Sequence, residues 1–365
     1  MRTRLVHARW SLLGAAIVAL VAFATSDTAQ AQPLGASLLL SHAGNQYVEV
    51  PSSPDLTPVN AMTIEFLAST LNTDGDVSLV GKDYLSSYWI GNNNGTLASW
   101  FNGSSCVKGK LRAEERIHHI AVTYDGAQIR NYIDGELVGV CAGSGPIHAN
   151  SSPLRFGSDV HWAHSPTGFL DEIRLWSIAR TQQQIQQDMS VAITSPRPGL
   201  VAVWPMDALA NDVVGGHNGG APHGGASIYY AYHPGGSCSP SAHTACFNGG
   251  QFGVQTQFQL YSNPAPDGSI AITSEGSGTV VAGANTNSAL FWFFASDNWE
   301  VLVKSLDGCG LGNHWWTFAA ATTNVHHSIV VFDFARGEQR VYWSFFGPPA
   351  PALTDTNSFS CEPPA

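Results

Sequence analysis

The 365-residue chain has little charge and few of the residues that build helical enzymes. Asp, Glu, Lys and Arg make up 12% of it, with 16 basic residues against 27 acidic ones and only 4 Met. A basic stretch suited to phosphate is missing, so nucleic acid and anionic membrane surfaces are disfavoured as partners. There is no C-x-x-C pair, which argues against a zinc or thioredoxin-like site, and no G-x-S-x-G elbow for a serine nucleophile. The longest apolar run, Leu12 to Ala24, is shorter than the roughly twenty residues a membrane span needs.

That run follows Arg2, Arg4 and Arg9 and precedes "TAQAQ", with small residues at Ala29 and Ala31. This is the pattern of a signal peptide over residues 1–31, cleaved before Gln32, with no membrane insertion once it is removed. The expected product is secreted, into the periplasm or beyond the cell. Removing Arg2, Arg4, Arg9 and Asp27 leaves 13 basic and 26 acidic residues, so the net charge moves from −11 to −13. Six cysteines in an exported chain read as disulfides. Spacing alone does not fix the connectivity of Cys106, Cys141, Cys238, Cys246, Cys309 and Cys361. Pairs 106–141, 238–246 and 309–361 are expected because each then stays within one module.

What the chain does have is Gly (37 residues), Trp (11) and many short alternating apolar runs. "QYVEV", "MTIEFLAS", "HHIAVTY" and "FLDEIRLW" read as strands. In "HIAVTYDGAQIRNYIDGELVGV" the pairs Asp125-Gly126 and Asp134-Gly135 predict tight turns in a three-stranded meander. A single helix is expected after Thr181, with Gln184 completing a capping box. The fold class is all-β: a two-sheet antiparallel sandwich over 37–212, a Gly- and His-rich linker over 213–235, and a smaller β-sandwich over 236–365. The linker, with His217 and His223, reads as a solvated hinge.

"SLLLSHAGNQYVEVPSSPDLTP", "MTIEFLAS", "IHHIAVTYDGAQIRNYIDGELVG", "SPLRFGSD" and "GFLDEIRLWSIARTQQQIQQDM" together resemble a concanavalin-A-like, laminin-G-like jellyroll, over residues 37–190. The part from 236 on resembles a small aromatic-rich module of exported bacterial proteins, through "CSPSAHTACFNGGQFGV", "FWFF", "DNWEVLVKSLDGCG" and "HWWTFAA". The first resemblance implies one Ca²⁺ held between the opening loop and the late aspartate. The matching positions are Gly44, Asn45 and Asp171, with Asp171 the only acidic one. Pentraxin-like ligand binding through paired Ca²⁺ needs an acidic loop, and "VGVCAGSGPIHANSSP" is not acidic.

The resemblance also admits a glycoside hydrolase, which needs two carboxylates on one face. Asp171-Glu172 and Glu114-Glu115 are adjacent and point to opposite faces of a strand, and Glu65 is alone. His118-His119 and His326-His327 read as packing residues. The expectation is therefore no enzyme. For sugar binding, "DYLSSYWIGNNNGTLASWFNG" offers Trp89, Asn93 and Trp100 beside Tyr84, and "HWAH" offers Trp162 as an aromatic platform. The same aromatics also read as core and the asparagines as a turn. Asp159, His161 and His164 form a possible metal clip. Two functions stay open: a non-catalytic binder of a glycan or an extracellular protein, and a structural component assembling with other exported proteins.

Overall fold

A computed structural model describes residues 32–362 apart from 43, 71–74, 112–116, 163, 208–209, 231–234 and 284. The signal-peptide expectation and Glu114-Glu115 lie outside the described residues.

Turn chemistry sets the strand order. Asp134-Gly135, Asn94-Gly95 and Asn102-Gly103 all have positive φ at both positions, as a type I′ hairpin requires. The Asp125 carboxylate closes the other turn of the meander by accepting from the Ala127 and Gln128 N–H groups. The strands form two antiparallel sheets in the first module. The front sheet runs Val48–Val50, Leu154–Phe156, Asp76–Gly81, Tyr88–Asn93, Thr96–Phe101 and Ser104–Lys110. The back sheet runs Glu136–Ala142, Gln128–Ile133, His118–Tyr124, Met62–Thr70, Gly168–Trp176, Ala36–Leu40 and Ser227–Tyr230, with Leu200–Trp204 also on Gly168–Trp176. Alternation turns Ile64, Phe66, Leu79, Ile90, Phe101, Ile120 and Val122 into one buried core between the sheets.

The second module is another sandwich. One sheet holds Glu338–Ser344, His326–Asp333, Phe252–Tyr261, Ala245–Phe247 and Ile272–Ser277; the other holds Thr279–Val280, Ser288–Trp292, Val301–Asp307, His314–Ala321 and Leu353–Ser360. Phe247, Phe252, Phe291, Val303 and Val331 fill the space between them. Disulfides join Cys106 to Cys141, Cys238 to Cys246 and Cys309 to Cys361, the pairs expected.

The two modules are packed face to face. Val330, Phe332 and Val341 of the second meet Leu67 on the outer side of the back sheet. Gln32–Leu34 leaves the first module altogether and pairs with Glu338–Ser344. The helix Gln182–Asp188 covers more of the back sheet by setting Ile185 against Ala121 and Tyr132. Its capping box is formed as expected: Thr181 Oγ1 accepts from the Gln184 N–H, and the Gln184 side chain accepts from the Thr181 N–H. Thr181→Ala should cost about 1 kcal/mol in a urea melt, and no change would show that tertiary contacts alone hold this helix.

The described part of the linker, 213–230, differs from the hinge expected of it. His217 is clasped between Asp212 (2.8 Å) and Asp55 (2.9 Å). His223 stacks on Tyr47 with ring centres 4.7 Å apart, and Ser227–Tyr230 becomes an edge strand beside Ala36–Leu40. Glycines here buy close approach as well as flexibility: a Cβ at Gly224 would lie 2.0 Å from the Asn45 carbonyl oxygen. Local composition signals a loop but is blind to partners more than a hundred residues away.

Among the described residues no helix is long and apolar enough to cross a membrane.

Candidate functional site

With the helix and the second module on the back sheet, the outer side of the front sheet is the face left for a ligand. Antiparallel register places its side chains in rows. One row reads Glu49, Arg155, Gly81, Trp89, Trp100 and Ser105, and another reads Asp76, Asn93, Thr96 and Lys110. The alternating residues Tyr88, Ile90 and Phe101 point the other way, into the core.

Trp89 lies flat on this face. Its ring crosses Gly91, where a Cβ would come within 2.2 Å of it, and its Nε1 donates to Ser78 Oγ at 2.7 Å. Trp100 (5.2 Å between ring centres) and Trp162 (6.2 Å) stand edge-on to it, and Tyr84 packs 4.3 Å from Trp162. Trp89 is thereby 1% exposed, whereas Tyr84, Trp100 and Trp162 are half-buried. Trp89 is the floor of the aromatic group and cannot itself meet a ligand, a correction to its expected contact role. Strand alternation puts it outward; the loop after Phe156 then covers it.

That loop is fixed to the sheet. The Ser78 N–H donates to the His164 carbonyl at 2.8 Å, and Ser158 Oγ lies 2.9 Å from the Trp162 carbonyl oxygen. Asp159 accepts from the Tyr84 and His161 N–H groups. His161 Nε2 lies 3.1 Å from Asp83. Burial pushes the Asp83 carboxyl up, but hydrogen bonds from Ser86, Ser152, His161 and the Leu85 N–H outweigh it and hold the group below its usual range. Between loop and sheet opens a cavity of about 260 Å³ lined by Asp76, His161, Trp162 and His164. Asn93 sits directly across from Asp76, its Oδ1 accepting from Asn94 Nδ2 at 3.3 Å.

The structure does not bring the expected calcium ligands together. Asp171 lies level with Ser37: its Oδ2 accepts from Ser37 Oγ at 3.0 Å and its Oδ1 from the Glu172 N–H at 2.8 Å. Gly44 and Asn45 lie beyond the far end of Ala36–Leu40, and Asn45 Oδ1 accepts from Ser158 Oγ. Burial raises the Asp171 carboxyl well above its usual range, and the Glu172 and Asp207 charges add to this. With both Asp171 oxygens engaged by Ser37 and the Glu172 N–H, and Asn45 turned to Ser158, these three positions do not form a calcium cage. No local residue pattern marks the bulge here, where Glu172 takes φ 49° and the pairing with Met62–Thr70 slips. Nor do Asp159, His161 and His164 converge as a clip. Among the described residues the group of Asp, Cys or His atoms close enough to share an ion is Asp307 with Cys309 and Cys361, and those cysteines are bonded to each other.

Glu65 is fully buried, accepting from Trp176 Nε1 and Arg180 Nη1, both at 2.7 Å. His118 and Asp134 are 2.8 Å apart and buried at the junction of the modules.

Residues 42–186 match the model of the concanavalin A-like lectin/glucanases superfamily. The first module is a concanavalin A-like domain. Among solved structures, the chain is similar to a protein of Bacteroides ovatus ATCC 8483 provisionally assigned as carbohydrate binding. Identity is 21%, with a TM-score of 0.47, over 54% of this chain and 60% of that one. It is also similar to domains LG4-5 of the mouse laminin α1 chain, at 13% identity and a TM-score of 0.35, over 92% of this chain and 81% of that one. A third is the heptameric SAP-like pentraxin of Limulus polyphemus, at 14% identity and a TM-score of 0.31, over 44% and 82%. The chain thus spans less than two thirds of the length of the Bacteroides protein. No match was found among curated proteins. The concanavalin A-like domain leaves its front sheet open, with the aromatic group and the Asp76 cavity on it.

Proposed function

We infer that this is an exported, non-catalytic glycan-binding protein whose concanavalin A-like domain takes the sugar on the outer side of the front sheet. The observation that carries this is the half-exposed wall of Trp162, Tyr84 and Trp100 beside a carboxylate-lined cavity. Flat aromatic faces pack on the C–H faces of pyranose rings, while carboxylates and amides receive or donate hydrogen bonds to hydroxyls. Three disulfides accord with an oxidising compartment outside the cytoplasm. Absence of catalysis is supported by the burial of Glu65 and Asp171, each engaged by neighbouring side chains or backbone.

A glycan array probed with the intact protein and with Trp162→Ala tests this. Binding to the same glycans should weaken at least about tenfold in the variant, while Trp299→Ala on the second module binds as the parent does. Undiminished binding by a folded Trp162→Ala protein would refute the assignment.

A second reading concerns the second module alone. Phe294 and Trp299 are each 50% exposed on the segment between Ser288–Trp292 and Val301–Asp307, which favours contact with another exported protein there.

A further inference from the structure

Asp76 is set apart by its lack of partners. It opens its strand opposite Asn93 and lines the cavity with Trp162; among the described residues its side chain makes no hydrogen bond or ion pair, and its Oδ1 is buried without a donor. A carboxylate left unmatched beside apolar rings carries a desolvation cost that a ligand can relieve. We propose that the sugar bound at this face carries an unacylated amino group, whose ammonium sits against Asp76 while Trp162 packs on the ring. This deepens the glycan-binding reading and rests on it.

The surrounding charge favours a cation. Asp83 and Asp159 stand behind the loop, on a chain of net charge −11. The basic groups nearby are committed elsewhere. Lys82 is fully buried, its Nζ donating to Ser52 Oγ and the Ser152 carbonyl. Arg155 pairs with Glu49 at 2.9 Å and lies over the Tyr47 ring. Lys110 shares the row with Asp76 but three strands away, roughly 14 Å. A uronate or sialic acid carboxylate would therefore approach Asp76 with no Lys or Arg at hand to offset the repulsion, only the His161 and His164 rings that line the same cavity. An ammonium meets both an unmatched carboxylate and the electron-rich faces of Trp162 and Tyr84. An N-acetyl group occupies the same position with a neutral amide and leaves the Asp76 charge unbalanced.

The test is calorimetric titration of the intact protein with glucosamine and galactosamine oligosaccharides in matched free-amino and N-acetylated forms, with a galacturonate oligomer beside them. At neutral pH the free-amino form should bind at least about tenfold tighter than its acetylated twin. The advantage should shrink as salt is raised to about 0.5 M. Asp76→Asn, which keeps the size of the side chain, should abolish the preference while leaving the melting temperature in place. Equal or tighter binding of the acetylated or uronate oligomers overturns the proposal, as does a preference that survives in Asp76→Asn. If none of these sugars binds while other array glycans bind in a Trp162-dependent way, the ammonium assignment falls and the glycan-binding reading stands. If no glycan binds at all, both fall.

Discussion

Asp134→Ala lowers the folding stability of the protein by about 3–5 kcal/mol, the size expected when one member of a buried polar group is removed and its partners are stranded. The Asp134 carboxylate lies 2.8 Å from His118 Nδ1, accepts from the His119 N–H at 2.9 Å, and accepts from Gln259 Nε2 of the second module at 3.0 Å. Alanine leaves all three without that acceptor. It also places a Cβ-bearing residue with no polar side chain at φ 51°, where Asp and Asn are better tolerated. Asp134→Asn keeps the turn and one acceptor oxygen, so it should lose distinctly less. Urea unfolding of the three proteins decides the matter, and a loss under about 1 kcal/mol in the alanine variant would show that the junction does not depend on this group. Burial alone would push the Asp134 carboxyl up; the charge and hydrogen bond of His118, the His326 charge and the His119 N–H together bring it below its usual range. With the folded value below the unfolded one, its contribution is present above the unfolded value near 4 and is lost as pH falls through the folded one.

The second large effect is an acid sensitivity that two histidines impose. Burial brings His119 down to about 4, against the opposing pull of Glu65, with the Arg174 and Arg180 charges adding to the fall. Burial also brings His327 down to about 4, although the Val325 carbonyl beside its Nδ1 opposes this. Here too the folded value lies below the unfolded one, which is near 6.5. The unfolded chain therefore takes up protons first as pH drops. The stabilisation is full above about 6.5 and is lost on the way down to about 4, by on the order of 2–3 kcal/mol per histidine. Asp171, raised in the folded state, acts in the opposite sense, so the comparison must be made between variants. The double variant His119→Gln, His327→Gln should lose less stability between pH 7 and pH 4.5 than the parent. Parallel pH profiles for the two proteins would contradict the assignment.

Legibility in the sequence followed the range of the interaction. The Asp134-Gly135 turn, the Thr181–Gln184 capping box and the alternation of Ile64, Phe66 and Ala68 depend on neighbours a few residues away, and all stand as read. Composition alone singles out Trp89, Asn93 and Trp100, and the register then sets all three on the outer face of the front sheet. Coverage was not legible. Trp89 is outward by alternation yet buried by a loop some seventy residues on. The His217 stretch is loop-like in composition yet held by Asp55 and Asp212. Asp76 carries no signal in the sequence, because a lone Asp at a strand start is unremarkable until its undonated Oδ1 and its place beside Trp162 are visible.

The most direct test of the account is to locate the bound sugar. Hydroxyl-radical footprinting of the intact protein, with and without a saturating array-identified glycan, reports which side chains become shielded. Protection of Trp162, Tyr84 and Trp100 with Phe294 and Trp299 unchanged is the predicted result. Protection confined to Phe294 and Trp299, with the front-sheet aromatics unaffected, would contradict it and move recognition to the second module.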